Sequence, residues 1–371
     1  MRLVVAVALL VLAVSVLLLN ACSGGGTGEA SARASDCQTR FHPDRLAEGQ
    51  DCTPRTGEFC ALMTAAENLG PARRSVLPCA GVTISEHRAS GGGFETDYLA
   101  IRPDSGPVRS VYLALHYLGA QRHYFANLTR LAELAKARQV LVLVPQAPGG
   151  LAVTPVPLPG EGEDQTVSRW PTTASQPVAR YLALLDAVLA DARSRFAATG
   201  LPLYAAGLSN GAPMAYFLAC DRALAVEAIL AVAGAQSGES AAACAPQRPV
   251  GLVIIHGGLD SITPYDGLAG LTRSVPDIYA DFARLNGCDR GQDRQAVLQN
   301  AEGTVELGWS PACADGRRQV LARAVGNGHN WPGDDTGSSR SLVDPGVGIF
   351  GPTEDAIDAT LQGYDLLEFA A

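Results

Sequence analysis

Residues 207–211 read Gly-Leu-Ser-Asn-Gly, a G-x-S-x-G pentapeptide with small residues around a serine. Residues 201–206 are apolar enough to form a buried parallel strand, and residues 213–220 carry apolar side chains at helical spacing. A serine on a sharp turn from strand to helix lies above the sheet edge, where the helix N-terminus favours a developing negative charge. We therefore predict that Ser209 is a nucleophile, and that bulky side chains in place of the flanking glycines would collide with the neighbouring strand or helix.

A nucleophilic serine needs a base to remove its proton and an acid to orient that base. Asp260 lies in the loop after the strand candidate at residues 250–255, and His329 lies in a glycine-rich loop after the candidate at 319–325. In this arrangement His329 accepts the proton of Ser209, while Asp260 fixes the tautomer of the imidazole and stabilises the imidazolium. Open parallel sheets place their sites on such loops.

Other residues compete for these two roles. His256 is an alternative base, although its place at a strand end before a Gly-Gly turn favours a structural hydrogen bond. Asp266, Asp334 and Asp335 are alternatives to Asp260, although loop aspartates usually cap turns or helices.

The remaining histidines do not indicate a metal site. We expect His42 and His87 at the surface, His116 as a scaffold residue of the turn after a strand, and His123 on the surface of the following helix. The six histidines do not cluster at metal-ligand spacing, and no cysteine pair has zinc-site spacing. We predict no metal and no organic cofactor.

Apolar segments alternate with amphipathic helices along the chain. The last helix is predicted to begin near Pro352 and to place Ile357, Leu361, Tyr364 and Leu367 on one stripe. The strand candidates are residues 98–101, 108–115, 140–144, 203–206, 228–233, 250–255 and 319–325. This alternation predicts an α/β fold with a mostly parallel sheet and helices on both faces.

Three motifs in this order resemble a known enzyme family. They are Gly-Leu-Ser-Asn-Gly-Ala-Pro-Met-Ala-Tyr-Phe-Leu-Ala-Cys at 207–220, His-Gly-x-x-Asp-x-x-x-Pro-Tyr at 256–265, and Gly-His-Asn-Trp-Pro-Gly at 328–333. From residue 91 onward the chain resembles the polyhydroxybutyrate depolymerase and feruloyl-esterase group of α/β-hydrolases, which includes secreted bacterial lipoprotein esterases. The resemblance implies the α/β-hydrolase fold and the roles given above to serine, aspartate and histidine. It also implies short-chain ester substrates, either hydroxyalkanoate oligomers or feruloyl and acetyl esters of plant polysaccharide.

The oxyanion hole is expected after the strand candidate at 108–115. His116-Tyr117-Leu118-Gly119 follows it, where the family commonly has His-Gly-Cys or similar small residues. Because backbone N–H groups donate whatever the side chain, we expect Tyr117 or Leu118 to supply one donor and Asn210 the other. A tyrosine narrows the approach, and the conformational freedom of glycine is lost.

Residues 146–176 form a long loop rich in Pro and Gly, which is typical of a lid, a binding loop or disorder. Trp170 lies in this loop, and Trp331 lies beside the predicted base. Each tryptophan is interpreted either as an aromatic face for the acyl or aryl group of a substrate or as packing against the protein body.

The N-terminus resembles a bacterial lipoprotein signal. A charged start, an apolar run over residues 3–19 and small residues before Cys22 indicate export and lipidation of that cysteine. The alternative is an uncleaved membrane anchor. We expect an extracytoplasmic, membrane-anchored protein divided into a signal peptide (1–21), a flexible tether (22–35), a cysteine-rich, disulfide-stapled extension (36–90) and a catalytic domain (91–371).

Eight further cysteines in an exported chain predict disulfides. Cys220 ends the helix after Ser209 and Cys244 follows the next strand, so this pairing is geometrically plausible. The family resemblance implies a second pair, Cys288 with Cys313. The remaining cysteines allow three connectivities; they are Cys37, Cys52, Cys60 and Cys79.

Charge argues against nucleic acid as a partner, because 28 basic residues face 37 acidic ones without a basic run. With 47% hydrophobic residues the chain has ample material for a core. We predict a lipid-anchored serine esterase that acts on small or oligomeric esters. The alternatives are a serine peptidase on the same fold and a catalytically inactive binding lipoprotein.

Overall fold

The computed structural model describes residues 40–48, 60–63, 67–68, 70–149, 167–221, 224–333 and 350–371. The predictions about the signal segment, Cys22, the tether, Cys37, Cys52, Asp334 and Asp335 lie outside these residues. Within them, no helix is long and apolar enough to cross a membrane. The same residues contain no group of His, Cys, Asp and Glu arranged to hold a metal ion.

Ten strands form one sheet in the order β1-β2-β4-β3-β5-β6-β7-β10-β9-β8. The strands are β1 Val82–Gly91, β2 Phe94–Pro103, β3 Ser110–Leu115, β4 Val140–Pro145, β5 Leu203–Leu208, β6 Val226–Val232, β7 Gly251–Gly257, β8 Arg294–Asn300, β9 Gly303–Ser310 and β10 Gln319–Ala324. The central strands from β4 to β10 pair in parallel, whereas β1, β2, β8 and β9 pair antiparallel. Every residue of β3, β4, β5 and β7 is buried, as continuous apolar strands covered on both faces should be.

Helices cover both faces of the sheet. They are α1 Pro43–Ala47, α2 Arg122–Leu128, α3 Leu131–Arg138, α4 Val178–Arg195, α5 Gly211–Cys220, α6 Gly238–Ala243, α7 Val275–Leu285 and α8 Leu361–Ala370. Helices α2, α3 and α8 pack into one apolar core, and α4, α5 and α7 pack into the other. This strand order with helices on both faces is the α/β-hydrolase architecture, so the predicted fold class is confirmed.

The strands that sequence reasoning missed are β1, β8 and β9. Strand β8 is mostly exposed and β1 mostly half-buried, and both lack the apolar runs that identify the central strands. Strand β1 also spans the boundary placed after residue 90, so the segment assigned to the extension supplies an edge strand of the sheet.

The last helix begins at Leu361 rather than near Pro352. Residues 350–355 instead form an irregular segment that contacts the loop carrying His329. The Pro352 carbonyl accepts the Gly328 N–H at 2.7 Å, which explains why the helix prediction at this point was wrong.

Three disulfides lie among the described residues: Cys60–Cys79, Cys220–Cys244 and Cys288–Cys313. The first closes the described part of the N-terminal extension, and the second joins the end of α5 to the residue after α6. In a chain-entropy model each such loop closure stabilises the protein by about 3 kcal/mol.

Candidate active site

Ser209 lies on the turn between β5 and α5 with φ +53°, in the left-handed region that side chains other than glycine rarely adopt. Two backbone hydrogen bonds hold it there: its N–H donates to Val232 O at 2.9 Å, and its carbonyl accepts the Ala212 N–H at 3.0 Å. The residue therefore stays in an unfavourable backbone conformation because strand β6 and helix α5 fix both of its sides.

The two glycines of the pentapeptide are required by close packing. A Cβ at Gly207 would lie 2.1 Å from Gly211 O, and one at Gly211 would lie 2.2 Å from Leu115 O. Both distances are far inside van der Waals contact, which confirms the steric prediction. The start of α5 is thereby pressed against the end of β3.

Ser209, His329 and Asp260 are joined by two hydrogen bonds. Ser209 Oγ lies 2.7 Å from His329 Nε2, and His329 Nδ1 lies 2.8 Å from Asp260 Oδ2. When Nδ1 carries the proton and donates it to Asp260, Nε2 is left as an acceptor for the serine hydroxyl. The three residues selected from the sequence therefore meet with the geometry of a nucleophile, a base and an acid.

The Asp260 carboxylate is buried but well supplied with donors. Oδ1 accepts the N–H groups of Ile262 and Thr263, at 2.9 and 2.8 Å, and Oδ2 accepts the Thr263 hydroxyl at 2.9 Å. Burial by itself would raise the pKa of Asp260, but hydrogen bonds from His256, His329 and the Thr263 amide lower it well below its usual range. The group therefore remains a carboxylate beside the imidazole.

His256 contacts the acid rather than the serine. Its Nε2 lies 2.7 Å from Thr263 O and 3.3 Å from Asp260 Oδ2, in agreement with the structural hydrogen bond expected for it. The alternative acid Asp266 is exposed. Sequence reasoning did not single out Thr263, although it lies three residues after Asp260.

The loop carrying His329 is held by the segment that begins at Phe350. The His329 N–H donates to Phe350 O at 2.6 Å, and the two rings stack at 6.1 Å between centroids. A Cβ at Gly257 would lie 2.2 Å from Gly328 O, so the loops of the acid and the base touch. Sequence reasoning also missed Phe350, because no local pattern connects it to the base.

The loop after β3 lies beside the serine, as expected for an oxyanion hole. Its first residue, His116, is fully buried, and burial lowers its pKa to about 4. The neutral ring donates from Nδ1 to Tyr117 O at 2.7 Å and accepts the Ala147 N–H on Nε2 at 2.9 Å. His116 is therefore a scaffold residue of this turn. Two residues further along the same loop, the Leu118 side chain is 48% exposed.

Comparison with known proteins gives partial likenesses. No family model matches the chain. A stretch of 178 residues is 27% identical to "Putative esterase NocK" of Nocardia uniformis subsp. tsuyamanensis and covers 43% of this chain. The stretch covers 51% of that relative, so the chain spans about half the length of the curated protein it matches.

Three solved structures resemble the chain at low identity. Acetyl xylan esterase from Aspergillus awamori is 14% identical with a TM-score of 0.47, over 66% of this chain and 94% of that chain. Esterase PE8 is 20% identical with a TM-score of 0.40, over 62% and 90%. An alpha-beta serine hydrolase homologue from Coxiella burnetii is 15% identical with a TM-score of 0.40, over 70% and 95%. The assignment of the α/β-hydrolase fold rests on the strand order of the sheet and not on these likenesses.

The structure bears on the roles predicted for two tryptophans and one histidine. Trp170 and Trp331 are each only 1% exposed, and their indole N–H groups donate to His116 O and Thr360 Oγ1. Both rings are buried, which favours the packing interpretation of the two alternatives. His123 is buried rather than on the surface, with Nε2 3.0 Å from Glu86 Oε1.

Proposed function

We propose that the chain is a serine esterase in which Ser209 is the nucleophile, His329 the general base and Asp260 the orienting acid. The observation that carries the proposal is the continuous relay of hydrogen bonds from Ser209 Oγ to Asp260, at 2.7 and 2.8 Å. The left-handed backbone of Ser209 at the start of a helix adds to it, because this turn is typical of an elbow nucleophile.

The reaction follows from these contacts. Ser209 Oγ attacks the ester carbonyl while His329 Nε2 takes its proton, and the charged imidazolium is stabilised by Asp260. The imidazolium then returns the proton to the leaving alkoxide, which leaves the acyl group on Ser209. A water molecule, deprotonated by the same nitrogen, releases the acid and restores the serine.

The proposal assigns two backbone donors to the oxyanion. Asn210 N–H lies at the N-terminal end of α5, directly after the nucleophile. The second donor comes from Tyr117 or Leu118 in the loop after β3, which contacts α5 at Gly211. Preorganised donors of this kind stabilise the charge that develops on the carbonyl oxygen.

Exposed apolar side chains on loops at the sheet edge that carries Ser209 favour an ester with an apolar acyl part. Seven large apolar side chains are exposed among the described residues. Five of them lie on loops after β3 and β7, at the sheet edge that carries Ser209: Leu118, Leu259, Ile262, Leu268 and Leu271. We call these five residues the apolar rim. Together with the motif resemblance, the rim favours hydroxyalkanoate oligomers or feruloyl and acetyl esters as the substrate class.

The proposed location is extracytoplasmic, with Cys22 lipidated. Three disulfides among the described residues support an oxidising compartment, since such bonds are rare in the cytosol. The division into signal, tether, extension and catalytic domain remains part of this proposal. Mass spectrometry of the protein purified from bacterial membranes would detect or exclude the diacylated cysteine.

Ester hydrolysis by the full chain in detergent tests the activity. The substrates are p-nitrophenyl acetate, butyrate and octanoate, methyl ferulate and a chromogenic peptide, each compared with Ser209→Ala. Ester turnover that disappears in Ser209→Ala supports the proposal, and the rank order separates aliphatic from aromatic preference. Serine-dependent cleavage of the peptide alone supports a peptidase. If wild type is folded but cleaves no substrate faster than Ser209→Ala does, both the esterase and the peptidase hypotheses are contradicted.

A further inference from the structure

Residues 168–170, which we call the strap, connect the serine turn to the loop after β3. On the serine side, the Asn210 side chain forms two hydrogen bonds with one residue of the strap. Asn210 Oδ1 accepts the Trp170 N–H at 2.8 Å, and Asn210 Nδ2 donates to Trp170 O at 3.0 Å. This reciprocal pair fixes the plane of the amide and ties residue 210 to the strap.

On the other side, the strap holds the loop after β3 at both of its ends. Trp170 Nε1 donates to His116 O at 3.0 Å, and the Gly119 N–H donates to Ser168 O at 2.8 Å. The residues between these two contacts are Tyr117 and Leu118, the candidate oxyanion donors. The same short segment therefore contacts the elements that supply both donors.

The strap is anchored to the end of β4. Ser168 Oγ donates to Ala147 O at 2.7 Å and accepts from Gln146 Nε2 at 2.8 Å. The Ala147 N–H in turn donates to His116 Nε2. Because the Trp170 ring is buried as well, the strap has little freedom to move relative to the sheet.

We infer that the strap sets the spacing and orientation of the two oxyanion donors, and that the Asn210 side chain is a positioning residue for catalysis. This inference rests on the proposed esterase function. An oxyanion hole works only when both donors lie about 2.7–3.1 Å from the developing oxyanion. Here they come from separate elements, and Asn210 with Trp170 links those elements by hydrogen bonds.

Both candidate donors of the loop lie between the two contacts with the strap. The Tyr117 carbonyl accepts the Ala120 N–H at 3.2 Å and lies 2.7 Å from His116 Nδ1, so this part of the loop is a hydrogen-bonded turn. The inferred pair of donors is the N–H of Asn210 with the N–H of Tyr117 or Leu118.

Two variants and a matched control test this role. Asn210→Ala removes both side-chain bonds but leaves the backbone N–H of residue 210. Trp170→Phe removes the bond to His116 O and keeps an aromatic ring. The control is Trp309→Phe on strand β9, which removes the indole N–H of another buried tryptophan, bonded to Asp44 Oδ1 at 3.0 Å. Each variant of the full chain is assayed for kcat, KM, thermal unfolding and inhibition by an alkyl trifluoromethyl ketone, which forms a tetrahedral adduct.

We expect Asn210→Ala to lower kcat about 10- to 100-fold, less than the loss of a whole donor, with KM changed less than about 3-fold. Affinity for the trifluoromethyl ketone should fall by the same factor as kcat/KM, whereas the pH profile should keep its shape because His329 is untouched. Trp170→Phe should lower kcat in the same direction. The double variant should lose less than the product of the single losses, because both changes release one strap.

Several outcomes would overturn the inference. Folded Asn210→Ala and Trp170→Phe proteins with wild-type kcat and ketone affinity would show that the strap only packs the loop. A raised KM with unchanged kcat would make it a substrate contact. An equal kcat loss in Trp309→Phe would attribute the effect to global stability. If wild type shows no Ser209-dependent ester hydrolysis, the proposed function fails and the inference fails with it. If wild type hydrolyses esters but the strap variants behave like wild type, only the inference fails.

Discussion

Ser209 combines two demands that conflict at a single residue: a side chain for chemistry and a backbone conformation suited to glycine. Its φ of +53° is held by hydrogen bonds to neighbours on β6 and α5. An L-residue in this region costs about 1–2 kcal/mol relative to the right-handed region. The turn therefore stores strain at the position of the proposed nucleophile.

Replacing Ser209 with glycine should separate stability from activity. We expect Ser209→Gly to abolish ester hydrolysis yet to be more stable than Ser209→Ala by about 0.5–1 kcal/mol, because only the alanine retains a Cβ in the left-handed region. Chemical denaturation of both variants measures the difference. In an ordinary helix or strand, glycine is less stable than alanine. The same order of stability at position 209 would contradict the claim that the backbone of Ser209 is strained.

The acid can be tested by an isosteric change. Asp260→Asn should lower kcat about 10³- to 10⁴-fold with little change in KM, because an amide can donate to Nδ1 and so favour the wrong histidine tautomer. Asp266→Asn is the matched control, since Asp266 is an exposed aspartate in the same loop. Steady-state kinetics on p-nitrophenyl butyrate measure both variants. Equal losses of activity in the two would contradict the assignment of Asp260 as the acid.

At the scale of the element, the loop after β3 depends on a neutral histidine. Burial lowers the pKa of His116 from 6.5 to about 4, so between these values the unfolded chain binds a proton that the folded chain does not. Folding stability should therefore be lost as the pH falls from 6.5 to 4, by about 2–3 kcal/mol for this group. Protonation would also remove the acceptor of the Ala147 N–H.

The variant His116→Gln should show a weaker dependence on pH. Urea unfolding of wild type and variant at pH 7 and pH 4.5 measures the change in free energy of unfolding. We expect wild type to lose more stability over this interval, even if the variant is less stable at pH 7. Equal losses in both proteins would show that His116 does not titrate with the lowered pKa.

Elements with strong local signals were predictable from the sequence. Ser209, Asp260 and His329 each lie in the connection after a predicted strand, so their placement at one sheet edge needed only the parallel order of those strands. The half-exposed strands β1 and β8 gave no such signal. The role of Trp170 stayed open because its partner Asn210 lies 40 positions away, and hydrogen bonds over such separations leave no local pattern.

At the scale of the whole molecule, the apolar rim and the site share one edge of the sheet. The exposed residues Leu268 and Leu271 lie between β7 and α7, in the same connection as Asp260. Exposed apolar side chains at the sheet edge that carries the proposed nucleophile fit a surface that meets an apolar ligand. Val297 serves as a comparison residue for the rim. It is 60% exposed on β8, the last strand of the sheet order and distant from the strand before Ser209.

The double variant Leu268→Ser/Leu271→Ser should therefore affect large apolar substrates selectively. We expect p-nitrophenyl acetate turnover to change less than about 2-fold, while kcat/KM for the octanoate ester falls about 5- to 20-fold, since each lost apolar contact contributes about 1 kcal/mol. Val297→Ser serves as the matched control and should leave both esters unchanged. Release of hydroxybutyrate from a polyester suspension should fall with the octanoate activity if the rim meets the polymer. Equal loss on acetate and octanoate would instead mean that the changes disturb the Asp260 loop, and no loss on either would remove the rim from substrate binding.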